Sequence, residues 1–152
     1  MYKPESIQLR KKMAKMHDEM LSKLASAIAN GEYVEASWLC YAIFEQRIAR
    51  MIVKHIHKCP KQDRPKEAAP VGIDTKLVCI SKLIKSNYGA YELLDKNVFS
   101  EVKGWCRKRN ALVHELLDVN SYKKYDKAFK DLAIEGEGLV YQVYSEATKL
   151  RD

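Results

Sequence analysis

What the chain lacks narrows it before any motif does. No apolar run approaches the roughly 18 residues that a membrane-crossing helix needs, so a helical membrane span is not expected. The early basic residues Arg10, Lys11, Lys12 and Lys15 lead into His17, Asp18 and Glu19 instead of an apolar stretch, so the N-terminus does not read as a secretory signal and a cytoplasmic location is expected. Cys40, Cys59, Cys79 and Cys106 make no C-x-x-C pair, which offers neither a zinc ribbon nor a redox motif. They read as reduced thiols, with Cys40, Cys79 and Cys106 in apolar helical patterns that point to the core. Repeats, low-complexity tracts and any stretch asking for a sheet are also missing.

The charge is not balanced. Against 20 Asp+Glu stand 27 Lys+Arg, a formal excess of +7 that favours polyanions such as RNA or DNA and that also keeps a small protein in solution. His55, His57 and Cys59 carry metal-ligating chemistry, but alternate positions on a helix face opposite sides, and only an extended backbone would bring them together. Neither a metal nor another cofactor is expected.

With 152 residues, 47% hydrophobic and 31% charged, the chain has the size and composition of one globular domain spanning 1–152. Apolar residues recur at helical spacing almost throughout. The spacing predicts a first helix over about 6–30 with Ile7, Met13, Met16, Met20, Leu24, Ala27 and Ile28 on its buried face, stopped by Gly31. A second, over about 32–57, carries Val34, Trp38, Tyr41, Ala42, Phe44, Ile48, Met51, Ile52 and Ile56, too broad an apolar surface for a lone face and so a central position. Three of the four prolines, Pro60, Pro65 and Pro70, fall in the basic stretch Cys59 to Gly72, which reads as a long loop that either closes over a substrate or simply connects helices. A third helix is expected to about Ser86 with Asp74 and Thr75 as caps, a looser turn over 87–95, a fourth helix over about 96–117, and a last one capped by Asn120 or Ser121 and running to about Leu150. On that last helix Tyr125, Phe129, Leu132, Gly136, Leu139, Val143, Ala147 and Leu150 repeat in steps of three or four. Gly136 therefore falls on the packing face, where a missing side chain admits a neighbouring helix. The expected fold is an all-α, four-helix up-and-down bundle with an additional short helix.

Within the fourth helix, Arg109-Asn110-Ala111-Leu112-Val113-His114 sets a permanent cation near a side chain that exchanges protons near neutrality. An arginine can neutralise charge building on a phosphate while a histidine moves the proton of an attacking or leaving oxygen, so the pair suits metal-free phosphodiester cleavage. At about 100° per residue the two point about 140° apart, whereas Asn110 and His114 share a face. Lys103, Arg107 and Lys108 lie on the preceding turns, where an RNA backbone would approach. The plainer reading is a half-buried histidine among Leu112, Val113, Leu116 and Leu117, with Arg109 paired to Glu45, Glu101 or Glu115.

The segment Trp105-Cys106-Arg107-Lys108-Arg109-Asn110-Ala111-Leu112-Val113-His114 resembles the signature of the HEPN superfamily, the "higher eukaryotes and prokaryotes nucleotide-binding" helical domains. In that signature an arginine followed by a polar residue, often Asn, stands four to six residues before a histidine. The stretch Tyr33 to Ile52, with Tyr41, Ala42, Phe44 and Glu45, also resembles that family's central helix. The resemblance implies a HEPN-like four-helix bundle that pairs two-fold, so that two copies of the motif meet in one homodimer cleft. It implies a metal-independent endoribonuclease of the toxin–antitoxin or defence kind, with RNA as substrate and an antitoxin protein as a further partner. It implies Arg109 and His114 as the catalytic pair and Asn110 as the accompanying polar residue. Lys103, Arg107 and Lys108 become candidate RNA contacts, and Glu45 a supporting carboxylate that orients Arg109 or His114. Other members of the family bind a nucleotide, RNA or a protein and cut nothing, which is the alternative function. Toxins paired with a nucleotidyltransferase antitoxin typically carry Tyr two residues after the histidine. Here that position is Leu116, so regulation by nucleotide transfer onto it is not expected.

Overall fold

Five α-helices and one 3-10 turn make up the computed structural model, which describes residues 7–54, 72–86, 89–117 and 125–151. They are α1 (Ile7–Ala29), α2 (Tyr33–Lys54), α3 (Ile73–Lys85), α4 (Lys96–Leu117) and α5 (Asp126–Thr148), with the 3-10 turn at Gly89–Leu93 between α3 and α4. No strand occurs among the described residues, as the helical periodicity requires. The loop from Cys59 through Val71, the His55/His57/Cys59 cluster and the expected caps Asn120 and Ser121 lie outside the described residues.

Helix α2 is the hub. It packs most extensively on α5 and also meets α1, α3 and α4, while α4 packs on α5, so each helix touches the next one in the chain. The breadth of its apolar surface is the cause: Ala36, Cys40, Ile43, Phe44, Ile48, Met51 and Ile52 are buried and spread around much of its circumference. Trp38 and Ala42, counted on that surface from the pattern, instead face outward, Trp38 at 58% exposure. At the far end of α2 the buried Tyr91 hydroxyl, from the 3-10 turn, donates to the carbonyls of Met51 and Ile52 at 2.9 and 2.7 Å. It satisfies acceptors that a helix C-terminus leaves unpaired.

Helix α1 ends as expected. Gly31 takes φ 74°, which the residue's missing Cβ makes cheap, and Glu32 N–H donates back to the Ala27 carbonyl at 2.8 Å. The buried face of α1 differs from the expectation, however. His17, Leu24 and Ala27 are buried, while Ile7 is 71% and Met16 38% exposed. Among the described residues helix α1 packs chiefly on α2 and less extensively on α5, so a narrow stripe suffices and apolar residues beside it stay in water. The start of α3 also departs from the expected caps. Gly72, at φ 86°, occupies the cap position without a side-chain bond, and Asp74 sits inside the first turn, where its charge suits the helix dipole.

Gly136 does what its place in the α5 pattern implies. A Cβ there would stand 2.8 Å from Trp105 Cζ2 and 2.9 Å from Cys40 Sγ, so α2, α4 and α5 can meet only around a hydrogen. Trp105 fills the space, donating its indole N–H to the Leu132 carbonyl at 2.8 Å and meeting Phe44 edge to face at 5.2 Å. This three-helix contact holds the middle of α4, immediately before Arg109, against the core.

Candidate phosphate-binding site on helix α4

The buried stripe of α4 runs through Val98, Phe99, Val102, Trp105 and Cys106. Arg109 continues it three residues past Cys106, so its stem is drawn toward the core while its head reaches the edge of α2. There the guanidinium lies 4.4 Å from the Tyr41 ring centroid and 5.5 Å from that of Trp38. These two rings, three residues apart on α2, share one face and form an aromatic platform. Arg109 Nη1 donates to Asn110 Oδ1 at 2.9 Å, and the buried Nε has no acceptor among the described residues.

No carboxylate pairs with Arg109 among the described residues, and that absence of a partner sets its chemistry. Glu45 instead accepts from the buried Lys76 at 3.0 Å, so its charge is engaged away from the arginine. The guanidinium thus keeps its positive charge at a half-buried position, held by ring faces that stabilise a cation without neutralising it. Burial pushes the neighbouring Tyr41 hydroxyl up from its ordinary pKa even though Arg109 pulls the other way. Cys106 is pushed up to about 12 by burial, with Asp74 adding to the rise, so it is a thiol here and no nucleophile.

His114 lies exposed on the outward side of α4, and Asn110, one turn before it, is exposed as well. Of the basic residues on the preceding turns, Arg107 is exposed and Lys103 half-buried, while Lys108 is bridged to Glu135 at 3.1 Å. The structure thus brings Arg109 and Asn110 into direct contact and sets Glu45 and Lys108 in pairs of their own. Among the described residues no group of three or more His, Cys, Asp or Glu side chains is arranged to hold a metal ion.

Trp38 and Tyr41 are the residues of the candidate site that the sequence pattern did not single out as a unit. Both fit an apolar helix face, and only the packing of α4 turns them into a seat for Arg109. Trp38 also forms one wall of an open groove of about 770 Å³ between α1 and α2, with Ser22, Lys23 and Ala27 on one side and Val34 and Leu39 on the other. No protein-family model, curated protein or solved structure matches the chain.

Proposed function

We propose that this chain is a HEPN-like, metal-independent endoribonuclease that works as a homodimer, of the toxin or defence type. The observation that carries the proposal is Arg109: a half-buried guanidinium without a carboxylate partner among the described residues, seated on Tyr41 and Trp38, bonded to Asn110 and one and a half turns from an exposed histidine. An uncompensated arginine in a fixed orientation is suited to the charge that develops on a phosphorane. Within one chain Arg109 and His114 diverge by about 140°, so a shared phosphate calls for a second copy of the motif.

In that arrangement His114 takes the proton of a ribose 2′-hydroxyl, whose oxygen attacks the adjacent phosphorus. His114 of the partner subunit protonates the departing 5′-oxygen, and the two arginines hold the negatively charged intermediate. The products are a 2′,3′-cyclic phosphate and a 5′-hydroxyl, and DNA, lacking the attacking hydroxyl, is not cut. Exposed Arg107 and half-buried Lys103 can contact the backbone, and the open face of Trp38 can stack an unpaired base beside the scissile phosphate.

The test is incubation of the protein with structured and unstructured RNAs in excess chelator. Cleavage is expected, and Arg109→Ala and His114→Ala should each abolish it in chains that circular dichroism shows to be folded. The divergence of the two side chains within one chain favours a second reading, a module that binds RNA, a nucleotide or a protein partner without cutting. Absence of cleavage across the RNA panel, with binding retained, would establish that reading instead.

A further inference from the structure

In steps of three along α2 the side chains change character in a fixed order. Glu32 stands just before the helix and Glu35 in its first turn, Trp38 follows, and Tyr41, which seats Arg109, comes one turn later. Glu32, Glu35 and Trp38 are all exposed and all line the open groove of about 770 Å³ between α1 and α2. Half-buried Val34 and Leu39 supply apolar surface there, and exposed Lys23 stands on the α1 side. From the Arg109 seat to the start of the helix the order is therefore cation, aromatic ring, carboxylates.

A nucleotide carries the complementary order. It has an anionic phosphate, then a flat base, then N–H donors on the outer edge of that base. From Tyr41 back to Glu35 the helix rises about 9 Å, a length that one nucleotide covers. The carboxylates choose among the bases. Glu32 and Glu35 are hydrogen-bonded to each other, and that bond with the like charge beside it pushes the Glu32 pKa up. No basic side chain bridges either of them among the described residues. Such a pair offers acceptor oxygens in excess, and N–H groups brought to it relieve the repulsion. Guanine alone sets two adjacent donors, N1–H and N2–H, on its Watson–Crick edge. Adenine and cytosine set one amino group beside an acceptor nitrogen, and uracil sets one N–H between two carbonyls. The O6 acceptor next to the guanine donors suits the Lys23 ammonium.

We infer that the α1–α2 groove is a guanine-binding pocket, in which the base stacks on Trp38, donates from N1–H and N2–H to Glu32 and Glu35, and has its phosphate held at Arg109. Stacking on an aromatic ring tolerates any base, so Trp38 supplies affinity and the carboxylates supply the choice. The inference deepens the nuclease reading: it rests on Arg109 as the phosphate-holding group and names the nucleotide beside it. Recognition of the base is separable from cutting, because it uses neither His114 nor a second chain.

The experiment is titration of the whole chain with guanosine, adenosine, cytidine and uridine 5′-monophosphates, none of which has a phosphodiester to cleave. The readouts are calorimetry and the NMR signal of the Trp38 indole N–H, with that of Trp105, buried and bonded to Leu132, as internal reference. Saturable binding that shifts the Trp38 signal is expected, with guanosine monophosphate about ten-fold tighter than the other three. Glu32→Gln combined with Glu35→Gln removes the charge-assisted bonds and should bring the four to within about three-fold of one another. Trp38→Leu keeps an apolar wall and removes the ring, so calorimetry should show guanosine monophosphate weakened about ten-fold. All three positions are exposed, and a thermal melt verifies that each variant is folded. No saturable binding, equal binding of the four nucleotides, or a guanine preference untouched by the glutamine substitutions would overturn the inference. Guanine-selective binding by a chain that cuts no RNA would remove the nuclease and leave the pocket standing, whereas RNA cleavage without that selectivity would overturn the pocket alone.

Discussion

Arg109 is held in place by two side chains that carry no charge of their own. The Tyr41 and Trp38 rings lie 4.4 and 5.5 Å from its guanidinium and stabilise it through their π faces, a contact on the order of 1 kcal/mol per ring when partly desolvated. In the proposed nuclease Tyr41 is therefore a positioning residue. Tyr41→Leu should lower RNA cleavage about five- to ten-fold, since about 1.36 kcal/mol of transition-state free energy is a factor of ten, and Tyr41→Phe should restore it because the ring face remains. Equal loss in both variants would show that the hydroxyl, not the face, is what matters. His17 makes a prediction of the opposite kind, on stability. Burial, with Arg47 and Arg50 adding to it, lowers its pKa from 6.5 to about 4. Between those values the unfolded chain binds more protons than the folded one, so stability is fully present above pH 6.5 and declines as the pH falls toward 4. Each pH step of one across that window removes about 1.36 kcal/mol, so the whole loss is at most roughly 3 kcal/mol. Urea unfolding at a series of pH values should show this limb, and His17→Phe should flatten it. A variant that declines just as steeply across that window would exclude His17 as the cause.

Among the elements, α5 and α4 are the ones whose burial follows their periodicity. The stripe Phe129, Leu132, Gly136, Leu139 and Val143 is buried along its whole length, and α4 begins and ends where the pattern places it. Both helices bury the inner part of the apolar set that the pattern names, while Ile134 and Tyr141 of α5 stay exposed and Leu112, Val113 and Leu116 near the end of α4 are half-buried. Helix α1 departs further from its pattern. Its Met and Ile residues outnumber the contacts available, so periodicity marks a face wider than the one that is buried, and a histidine takes a core position. The contact around Gly136 is the most demanding point of the bundle. Gly136→Ala should destabilise the protein despite the better helix propensity of alanine, worth about 1 kcal/mol. The added methyl at 2.8 Å from Trp105 and 2.9 Å from Cys40 forces repacking at a cost of about 1–3 kcal/mol. Thermal unfolding should show a lower midpoint, and Gly138→Ala, with open space at its Cβ, should not. A Gly136→Ala midpoint equal to or above that of the parent would show that Trp105 shifts freely.

For the whole molecule, an excess of +7 is distributed so that two cationic centres lie on different faces of α2. One is the Arg109 seat beside Trp38, the other Arg47 of α2 over the Tyr144 ring of α5. Only the first is paired in the sequence with a histidine that reaches water. Because Arg109 and His114 diverge on one helix, cleavage should depend on association of two chains. Specific activity is expected to fall on dilution in step with dimer dissociation measured by sedimentation. Activity that stays constant into the monomer regime would require a single-chain mechanism and reject the shared cleft.

The sequence by itself determined the helical class, the extent of α4, the stop at Gly31 and the role of Gly136, because each depends on periodicity or on a local backbone preference. It also placed Arg109, Asn110 and His114 on one helix, and so fixed the angle between them. Tertiary structure alone decided which cations are neutralised. Glu45 went to Lys76 and Glu135 to Lys108, while Arg109 and Arg47 were set on aromatic rings, a choice that depends on which helices touch and at what height. Spacing along a chain records the face of a helix, whereas the partner of a charge depends on the neighbouring helix that this face meets.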